Sequence, residues 1–206
     1  TVGPDGATHQ ALEDVGMLRP LPNIIIEVPS DAEQTRQTIR ALISISGPAY
    51  MRTSREKSGV FTTDKTPFEI GKVDIYADGE DVALIASGIM VYESLIAAKE
   101  LEKLGISAGV VNCHTIKPID AKTITEVAKK CGAIITVEEH QVNGGLGSAV
   151  AEVLGENYPV PLKRIGMLDT FGESGSPDEL LKKYKMNSSE IVKQAIEIVK
   201  RKKMKT

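Results

Sequence analysis

The chain has 206 residues, of which 41% are hydrophobic and 26% are charged. This composition is typical of a globular protein and excludes a collagen, a disordered tail and a disulfide-rich scaffold. A formal net charge of -3 provides no general basic field for nucleic acid. No apolar run reaches the ~20 residues that a membrane span needs. The two cysteines have no metal-type spacing and no signal peptide is visible, so we expect a reduced, cytoplasmic setting.

Residues 1–57 predict about half of a doubly wound α/β domain. The run 24–28 is apolar and rich in β-branched side chains, which favours a strand buried in a parallel sheet. Ser30 and Glu33 match a capping box for the next helix. A domain rarely begins on a loop like the one at Thr1, so we expect the chain to be a piece of a longer polypeptide. The predicted elements are a loop over 1–10, helices over 11–18 and 34–45, and strands over 24–28 and 49–53.

Residues 58–80 are polar and interrupted by glycine and proline, which predicts a linker with room for one short strand. Residues 81–206 then alternate strands with helices, so we expect a complete, mostly parallel sheet with helices on both faces. Ser176 and Glu179 form a second capping-box pattern, and Asn187 begins the last helix. The predicted strands are 81–86, 108–112, 133–137 and 162–165, and the helices are 90–104, 120–131, 147–154, one from 176 and 187–200.

The loop over 3–10 holds the densest set of reactive side chains. Asp5, Thr8, His9 and Gln10 fall within six residues, and a loop lets such groups converge on one point. His9 is suited to proton transfer near neutral pH, and Asp5 can orient a hydroxyl or the imidazole. The alternative is that Asp5 and Thr8 only cap the helix that follows. Spacing does not decide between a reactive loop and a helix cap.

Two arginines follow the second predicted strand, at the edge where open parallel sheets bind their ligands. Arg52 and Arg55 can each grip a phosphate with the forked guanidinium. The alternative is a surface salt bridge to Glu56 or Glu69, and spacing alone favours it.

A glycine-rich turn follows the strand that ends at Glu138-Glu139-His140. Turns of this kind can cradle phosphate at a helix N-terminus. Val150 stands where the dinucleotide fingerprint needs a small residue, which excludes a nicotinamide or flavin dinucleotide site. We therefore interpret 144–148 as a tight turn at a helix start. His114 has no partner that the sequence assigns and is interpreted as structural, and the His and Cys residues are too scattered for a zinc site.

In chain order, several of these motifs resemble those of transketolases. The loop Gly3-x-Asp5-Gly6-x-Thr8-His9-Gln10 resembles that of the transketolase pyrimidine domain, and Gly47-Pro48 with Ser54-Arg55 resembles the strand after it. The matches run over nearly the whole chain and look most like split transketolases, whose work is shared by an N-terminal and a C-terminal subunit. Segments similar to the transketolase C-terminal domain are Thr115-Ile116-Lys117-Pro118-Ile119-Asp120, Val137-Glu138-Glu139-His140, Gly144-Gly145-Leu146-Gly147-Ser148 and Phe171-Gly172-Glu173-Ser174-Gly175.

This resemblance implies a thiamin-diphosphate enzyme that passes a two-carbon ketol unit from a ketose phosphate to an aldose phosphate. It implies that the cofactor, held with a divalent cation such as Mg²⁺, supplies the carbanion chemistry. By the same analogy, His9 assists proton movement beside the substrate oxygens and Asp5 contacts a donor hydroxyl. Arg55 binds the sugar phosphate and Arg52, whose side-chain direction the sequence does not fix, is a second candidate, while Gln10 orients the loop.

The resemblance also implies what lies elsewhere. The family's catalytic glutamate, its ring-stacking aromatic residues and the diphosphate- and metal-binding domain belong before Thr1 or on a partner chain. We therefore expect this chain to be inactive alone and to join an N-terminal subunit or domain. Half a doubly wound domain leaves an uncovered sheet edge, which also predicts homodimerisation.

Three alternative functions stay open at this point. Deoxyxylulose-phosphate synthase and the β subunits of 2-oxo-acid dehydrogenases share the architecture of transketolases. Residues 81–206 alone are compatible with a non-catalytic assembly or regulatory domain. A flavodoxin-like ligand-binding module would need the glycine-rich turn as its ligand loop.

Overall fold

A computed structural model describes residues 5–55 and 57–203. It forms two sheets that are joined by an apolar cluster, in which Ile26 and Val28 lie with Ile85 and Val111, and helices pack on both faces of the larger sheet. After a short 3-10 turn, Ala7–His9, the elements are α1 (Asp14–Leu18), β1 (Ile25–Glu27), α2 (Ala32–Ile43), β2 (Ala49–Met51), β3 (Asp74–Ala77), β4 (Val82–Ala86), α3 (Met90–Lys103), β5 (Ala108–Asn112), β6 (Thr115–Lys117), α4 (Ala121–Cys131), β7 (Ile134–Gln141), α5 (Leu146–Asn157), β8 (Leu162–Met167), α6 (Pro177–Lys183) and α7 (Ser188–Lys203).

The N-terminal region is the predicted β–α–β unit. Strands β1 and β2 pair in parallel, with Ile26 opposite Tyr50, and α2 connects them. The capping box predicted for Ser30 and Glu33 is wrong by one position. Asp31 is the N-cap and accepts a hydrogen bond from the backbone amide of Gln34 at 2.9 Å.

The third strand of this small sheet comes from the C-terminal region. Strand β6, which the sequence did not predict, pairs antiparallel with β1, so the order is β2-β1-β6. The outer edge of β2 has no strand partner within the described residues. The uncovered edge expected from the sequence is therefore present in the described part of the chain.

The C-terminal region contains the larger sheet, with strand order β3-β5-β4-β7-β8. All pairings are parallel except that of β3, which runs antiparallel to β5 at one edge. This confirms the expected mostly parallel sheet. Strand β3 lies inside the segment 58–80, where the sequence left room for a single strand.

Central strand β4 lies at the centre of the apolar core of this region. All five of its residues are buried and aliphatic, as a strand covered on both faces requires. One apolar cluster packs against α3 and α7 on one face of the sheet, and a second packs against α4 and α5 on the other.

Several element boundaries follow the sequence signals closely. Gly132 takes a left-handed conformation (φ 64°) at the end of α4, and the capping box of Ser176 and Glu179 begins α6 as predicted. Other predicted boundaries are wrong by three residues or more. The first helix begins at Asp14 instead of residue 11, and β7 continues to Gln141, which places 138–140 inside the strand. Helix α5 ends at Asn157 instead of 154, and α7 ends at Lys203 instead of 200. Among the described helices, none has both the length and the apolar character required to span a bilayer.

Candidate functional site

A cleft of about 350 Å³ lies between the N-terminal region and the end of the C-terminal sheet. Three of the four predicted site residues, His9, Arg52 and Arg55, line it, and Asp5 is ion-paired with Arg55. The structure therefore brings all four together. Gly3, Pro4 and Glu56 lie outside the described residues.

The sequence did not identify the remaining lining of the cleft. Tyr50 lies two residues before Arg52 at β2, so both side chains point to the same face of the strand. This alternation could have identified Tyr50 as a cleft residue once Arg52 was selected. Three further lining residues come from distant parts of the C-terminal region, and no local sequence pattern predicts their place in the cleft: Met167, Tyr184 and Met186.

The loop that carries His9 is held by its backbone and by the C-terminal region. Gly6 adopts a φ of 82° before the 3-10 turn, in which the Thr8 hydroxyl lies 3.0 Å from the His9 Nδ1. The Gln10 side chain donates to the carbonyl oxygen of Glu173 at 3.0 Å. Gly6 forms the N-cap of the turn without a side-chain bond, so the alternative in which Asp5 and Thr8 cap a helix is wrong.

Arg55 and Asp5 form an ion pair at the exposed rim of the cleft. The Arg55 side chain is 62% exposed and that of Asp5 is 31% exposed. A sequence-local salt bridge was the alternative to ligand binding, but the partner found is neither of the two glutamates considered. A surface pair of this kind is weak, so an incoming anion can compete for the guanidinium at small cost.

Arg52 is held more firmly. Its Nε lies 3.1 Å from Asp14 Oδ2, and its Nη2 donates to the Ala11 carbonyl oxygen at 2.7 Å. The Tyr50 hydroxyl donates to the same Asp14 oxygen at 2.6 Å. Burial, followed by the hydrogen bond to Asp14, raises the pKa of Tyr50 to about 12. The carboxylate of Asp14 therefore joins both side chains of β2.

His140 lies behind this group and has a defined tautomer. Its Nδ1 faces the Gln141 carbonyl oxygen at 2.7 Å and must donate, so Nε2 accepts from the Gly16 amide at 3.3 Å. Burial lowers the pKa of His140, which favours this neutral form. The side chain serves as a packed acceptor and lies 3.8 Å from Asp14.

The glycine-rich turn cradles a carboxylate of the protein itself. Glu138 accepts from the amides of Leu146 at 2.7 Å and Gly147 at 2.8 Å, at the start of α5. A Cβ on Gly145 would lie 2.0 Å from the Glu138 carboxylate, so only glycine fits there. These amides are occupied, which removes the ligand loop that a flavodoxin-like module would need. Burial raises the pKa of Glu138 to about 7.

His114 is fully buried at the junction of the two regions. Its Nδ1 lies 3.0 Å from Glu27, and its Nε2 lies 3.7 Å from Asp74. Thr115 donates to Glu27 at 2.6 Å, and the ring of Phe68 stacks on His114 at 4.5 Å. The structural interpretation of His114 is supported by this packing, and Glu27 is the partner that the sequence could not assign.

The described residues were also tested for the fit of a metal ion. They contain no group of three or more His, Cys, Asp or Glu side chains placed to hold one. Both cysteines are buried and unbridged, and burial raises the pKa of the Cys113 thiol. The residues described here therefore do not fit the cation of a thiamin-diphosphate site.

Two family models match the chain in an order that agrees with this geometry. The model of the transketolase C-terminal domain matches residues 71–191, and that of the transketolase pyrimidine-binding domain matches residues 1–59. The chain belongs to the transketolase family. His9, Arg52 and Arg55 lie in the pyrimidine-binding match, whereas the rest of the cleft lining that comes from the C-terminal region, and Glu138 with its turn, lie in the C-terminal match.

Curated transketolase-family proteins are similar along almost all of the chain. A 6-deoxy-6-sulfo-D-fructose transketolase subunit of Clostridium sp. (strain MSTE9) is 42% identical over 96% of the chain and 62% of its own length. A putative transketolase C-terminal section of Methanocaldococcus jannaschii is 43% identical over 98% of the chain and 64% of its own length. The chain thus spans a little under two thirds of these relatives.

A solved structure agrees with the fold. It is a split-gene transketolase described as an inactive β4 tetramer, with a TM-score of 0.87 and 41% identity over 94% of the chain and 63% of its own length. The transketolase likeness therefore holds for fold and for sequence.

Proposed function

We propose that the chain is the C-terminal part of a split, thiamin-diphosphate-dependent transketolase that transfers a two-carbon ketol unit from a ketose phosphate to an aldose phosphate. The observation that supports this most is the meeting of the His9 loop with Arg55 at one cleft, in a chain of this family. The division into a pyrimidine-domain segment (1–57), a linker (58–80) and a C-terminal domain (81–206) is part of the proposal.

Each proposed role follows from position and chemistry. His9 has an exposed imidazole at the cleft and is placed to move a proton at a substrate oxygen. Arg55 grips the sugar phosphate, since a dianion competes well with the single exposed carboxylate of Asp5. Asp5 is then released to accept a hydrogen bond from a donor hydroxyl. A direct phosphate contact by Arg52 stays a prediction of the sequence.

Thiamin diphosphate and a divalent cation such as Mg²⁺ are proposed for the assembled enzyme. The described residues offer no metal cluster, and the turn at 144–148 is filled by Glu138. We therefore assign the cofactor's ligands to residues outside those described or to a partner chain, and derive no step through the cofactor.

The proposed partners are an N-terminal transketolase subunit and a second copy of this chain, in the cytoplasm. The open edge of β2 and the exposed side chains of Ile39 and Ile43 on α2 offer surface for such contacts. The solved relative assembles as a β4 tetramer and is described as inactive, which supports a subunit that associates with itself but needs a partner for activity.

Reconstitution tests the proposed function. The complete subunit is mixed with its N-terminal partner, thiamin diphosphate and Mg²⁺, and ketol transfer between sugar phosphates is followed. We expect transfer by the mixture and none by either subunit alone. Formation of deoxyxylulose phosphate or decarboxylation of a 2-oxo acid instead would assign a related chemistry, and binding without any turnover would favour an assembly role.

A further inference from the structure

Arg52 matches a ligand-binding arginine in its sequence position, but its side chain is more buried than that of Arg55. It follows the last residue of β2, and its backbone amide donates to the Glu27 carbonyl at 2.9 Å, which extends the parallel ladder. Its side chain is only 18% exposed, whereas that of Arg55, three residues later, is 62% exposed. The two arginines at this strand end therefore have different environments.

The guanidinium of Arg52 is occupied on two sides by the segment that follows His9. One nitrogen donates to the Ala11 carbonyl oxygen at 2.7 Å, and another lies 3.1 Å from Asp14, the first residue of α1. Both contacts fall within five residues of His9 along the chain. These contacts use two of the five N–H donors of the guanidinium, and a phosphate that replaced Asp14 would have to break a largely buried ion pair, which is costly.

Asp14 is the other half of the connection. Its side chain is 11% exposed, and its Oδ2 receives both the Tyr50 hydroxyl at 2.6 Å and the Arg52 Nε. Tyr50 and Arg52 therefore hold the start of α1 against β2 from two positions on one face of the strand. The same strand leads directly to Arg55.

We propose that Arg52 is a positioning residue, which ties the His9 loop to β2 through Ala11 and Asp14 and thereby sets the distance between His9 and Arg55. The inference rests on the proposed function, in which His9 and Arg55 act on opposite ends of one sugar phosphate. If this tie is lost, the phosphate stays bound at Arg55 while His9 is misplaced. Turnover is then affected more than binding, and a displacement of about 1 Å can lower a rate roughly 100-fold.

The chain contains a matched control at the other end of α1. Arg19 has a side chain that is 17% exposed, donates to the Gly144 carbonyl oxygen at 2.9 Å and pairs with Glu152 at 2.6 Å. It makes the same kinds of contact as Arg52 but does not line the cleft. Arg19→Ala therefore removes an equivalent amount of bonding without loosening the His9 loop from β2.

The test uses the complete subunit assembled with its N-terminal partner. Arg52→Ala should lower kcat about 10- to 100-fold, with the KM for phosphorylated sugars and inhibition by inorganic phosphate unchanged. Arg52→Lys, which can keep one of the two contacts, should recover part of kcat. Asp14→Asn, which still accepts hydrogen bonds, gives a second variant if Arg52→Ala fails to fold.

Two kinetic outcomes would overturn the inference. A raised KM and weaker phosphate inhibition at unchanged kcat would make Arg52 a phosphate ligand. An equal loss of kcat in Arg19→Ala would show only a general effect of loosening α1.

Hydrogen exchange of residues 8–13 provides a readout that does not need activity. Exchange should be faster in Arg52→Ala than in the wild type and Arg19→Ala, and equal exchange in all three would contradict the tie. If the wild-type assembly transfers no ketol unit, the proposed function fails, and this exchange measurement still decides whether Arg52 holds the loop.

Discussion

In the N-terminal region, residues 5–55, the buried side chains of helix α2 are polar, whereas those of strand β4 in the C-terminal region are aliphatic. Helix α2 turns Gln34 and Thr38 inward and leaves Ile39 and Ile43 exposed, whereas all five residues of β4 are aliphatic and buried. The N-terminal sheet also borrows β6 from the other region.

The two regions therefore have different parts in the molecule: the C-terminal region is the larger apolar scaffold, and the N-terminal region carries the predicted site residues. The C-terminal region can stabilise itself by burial of apolar surface, which is the dominant favourable contribution to folding. The N-terminal region is joined to the C-terminal region by a shared apolar cluster and by hydrogen bonds such as those of Glu27. The residues to which we assign chemistry under the proposed function thus lie on the region that shares its sheet and its apolar core with the other region.

The largest expected effect comes from breaking that junction with Glu27→Ala. The change leaves the buried side chains of His114 and Thr115 without the carboxylate that they share, and each buried polar group left without its partner costs about 1–3 kcal/mol. We expect limited proteolysis to cut residues 5–55 first and to leave the C-terminal region intact. Glu33→Ala, which removes a surface pair with Arg36, is the control and should change little.

The pH dependence of stability tests the buried carboxylate of the C-terminal region. The pKa of Glu138 is raised to about 7 by burial, so the folded chain holds this proton more tightly than the unfolded chain. Its contribution is therefore fully present below about pH 4.5 and is lost as the pH rises to about 7, at about 1 kcal/mol per pH unit.

Glu138→Gln, which mimics the protonated side chain, should lack this dependence. Urea unfolding of both proteins at a series of pH values measures the difference. If the free energy of unfolding changes with pH in the same way in the wild type and in Glu138→Gln, the folded chain does not hold a proton on Glu138 more tightly than the unfolded chain.

A smaller effect is expected from Gly145→Ala. The added Cβ would lie 2.0 Å from Glu138 and 2.6 Å from His140, so the turn must move. This overpacking should lower the free energy of unfolding by about 1–3 kcal/mol. Gly155→Ala in the same helix is the control, because nothing lies within 4 Å of its Cβ and alanine favours a helix. Thermal unfolding should separate the two, and equal melting temperatures would contradict the close fit at Gly145.

Arg55→Ala should have the smallest effect on stability and should act on substrate affinity alone. Loss of a charge-assisted contact of about 1.5–3 kcal/mol raises the KM for phosphorylated sugars roughly tenfold or more. Stability should not change, since the pair with Asp5 is exposed. A similar rise for a sugar without phosphate would refute the assigned contact.

The sequence predicts most of what local chemistry controls. Aliphatic runs located the central strands, and Ser176 with Glu179 located the start of α6. The sequence did not predict strand β6, because only three residues, Thr115–Lys117, form it and its pairing with β1 is non-local. The partner of His114 lies 87 positions away, so no spacing rule could reveal it.

The site itself was predicted unevenly. His9, Asp5, Arg52 and Arg55 could be selected because each residue type suits its proposed chemistry. The ties between them, through Asp14 and Ala11, depend on how a loop folds back onto β2, which the local sequence does not encode.

The central claim, that the chemistry lies on the N-terminal region, is tested most directly by His9→Ala in the assembled enzyme. Loss of a positioned acid–base group should lower kcat for ketol transfer about 100- to 10,000-fold. The thermal stability should stay that of the wild type, because His9 is exposed and, within the described residues, its side chain forms a hydrogen bond only with the adjacent Thr8. Wild-type turnover in this variant would contradict the account.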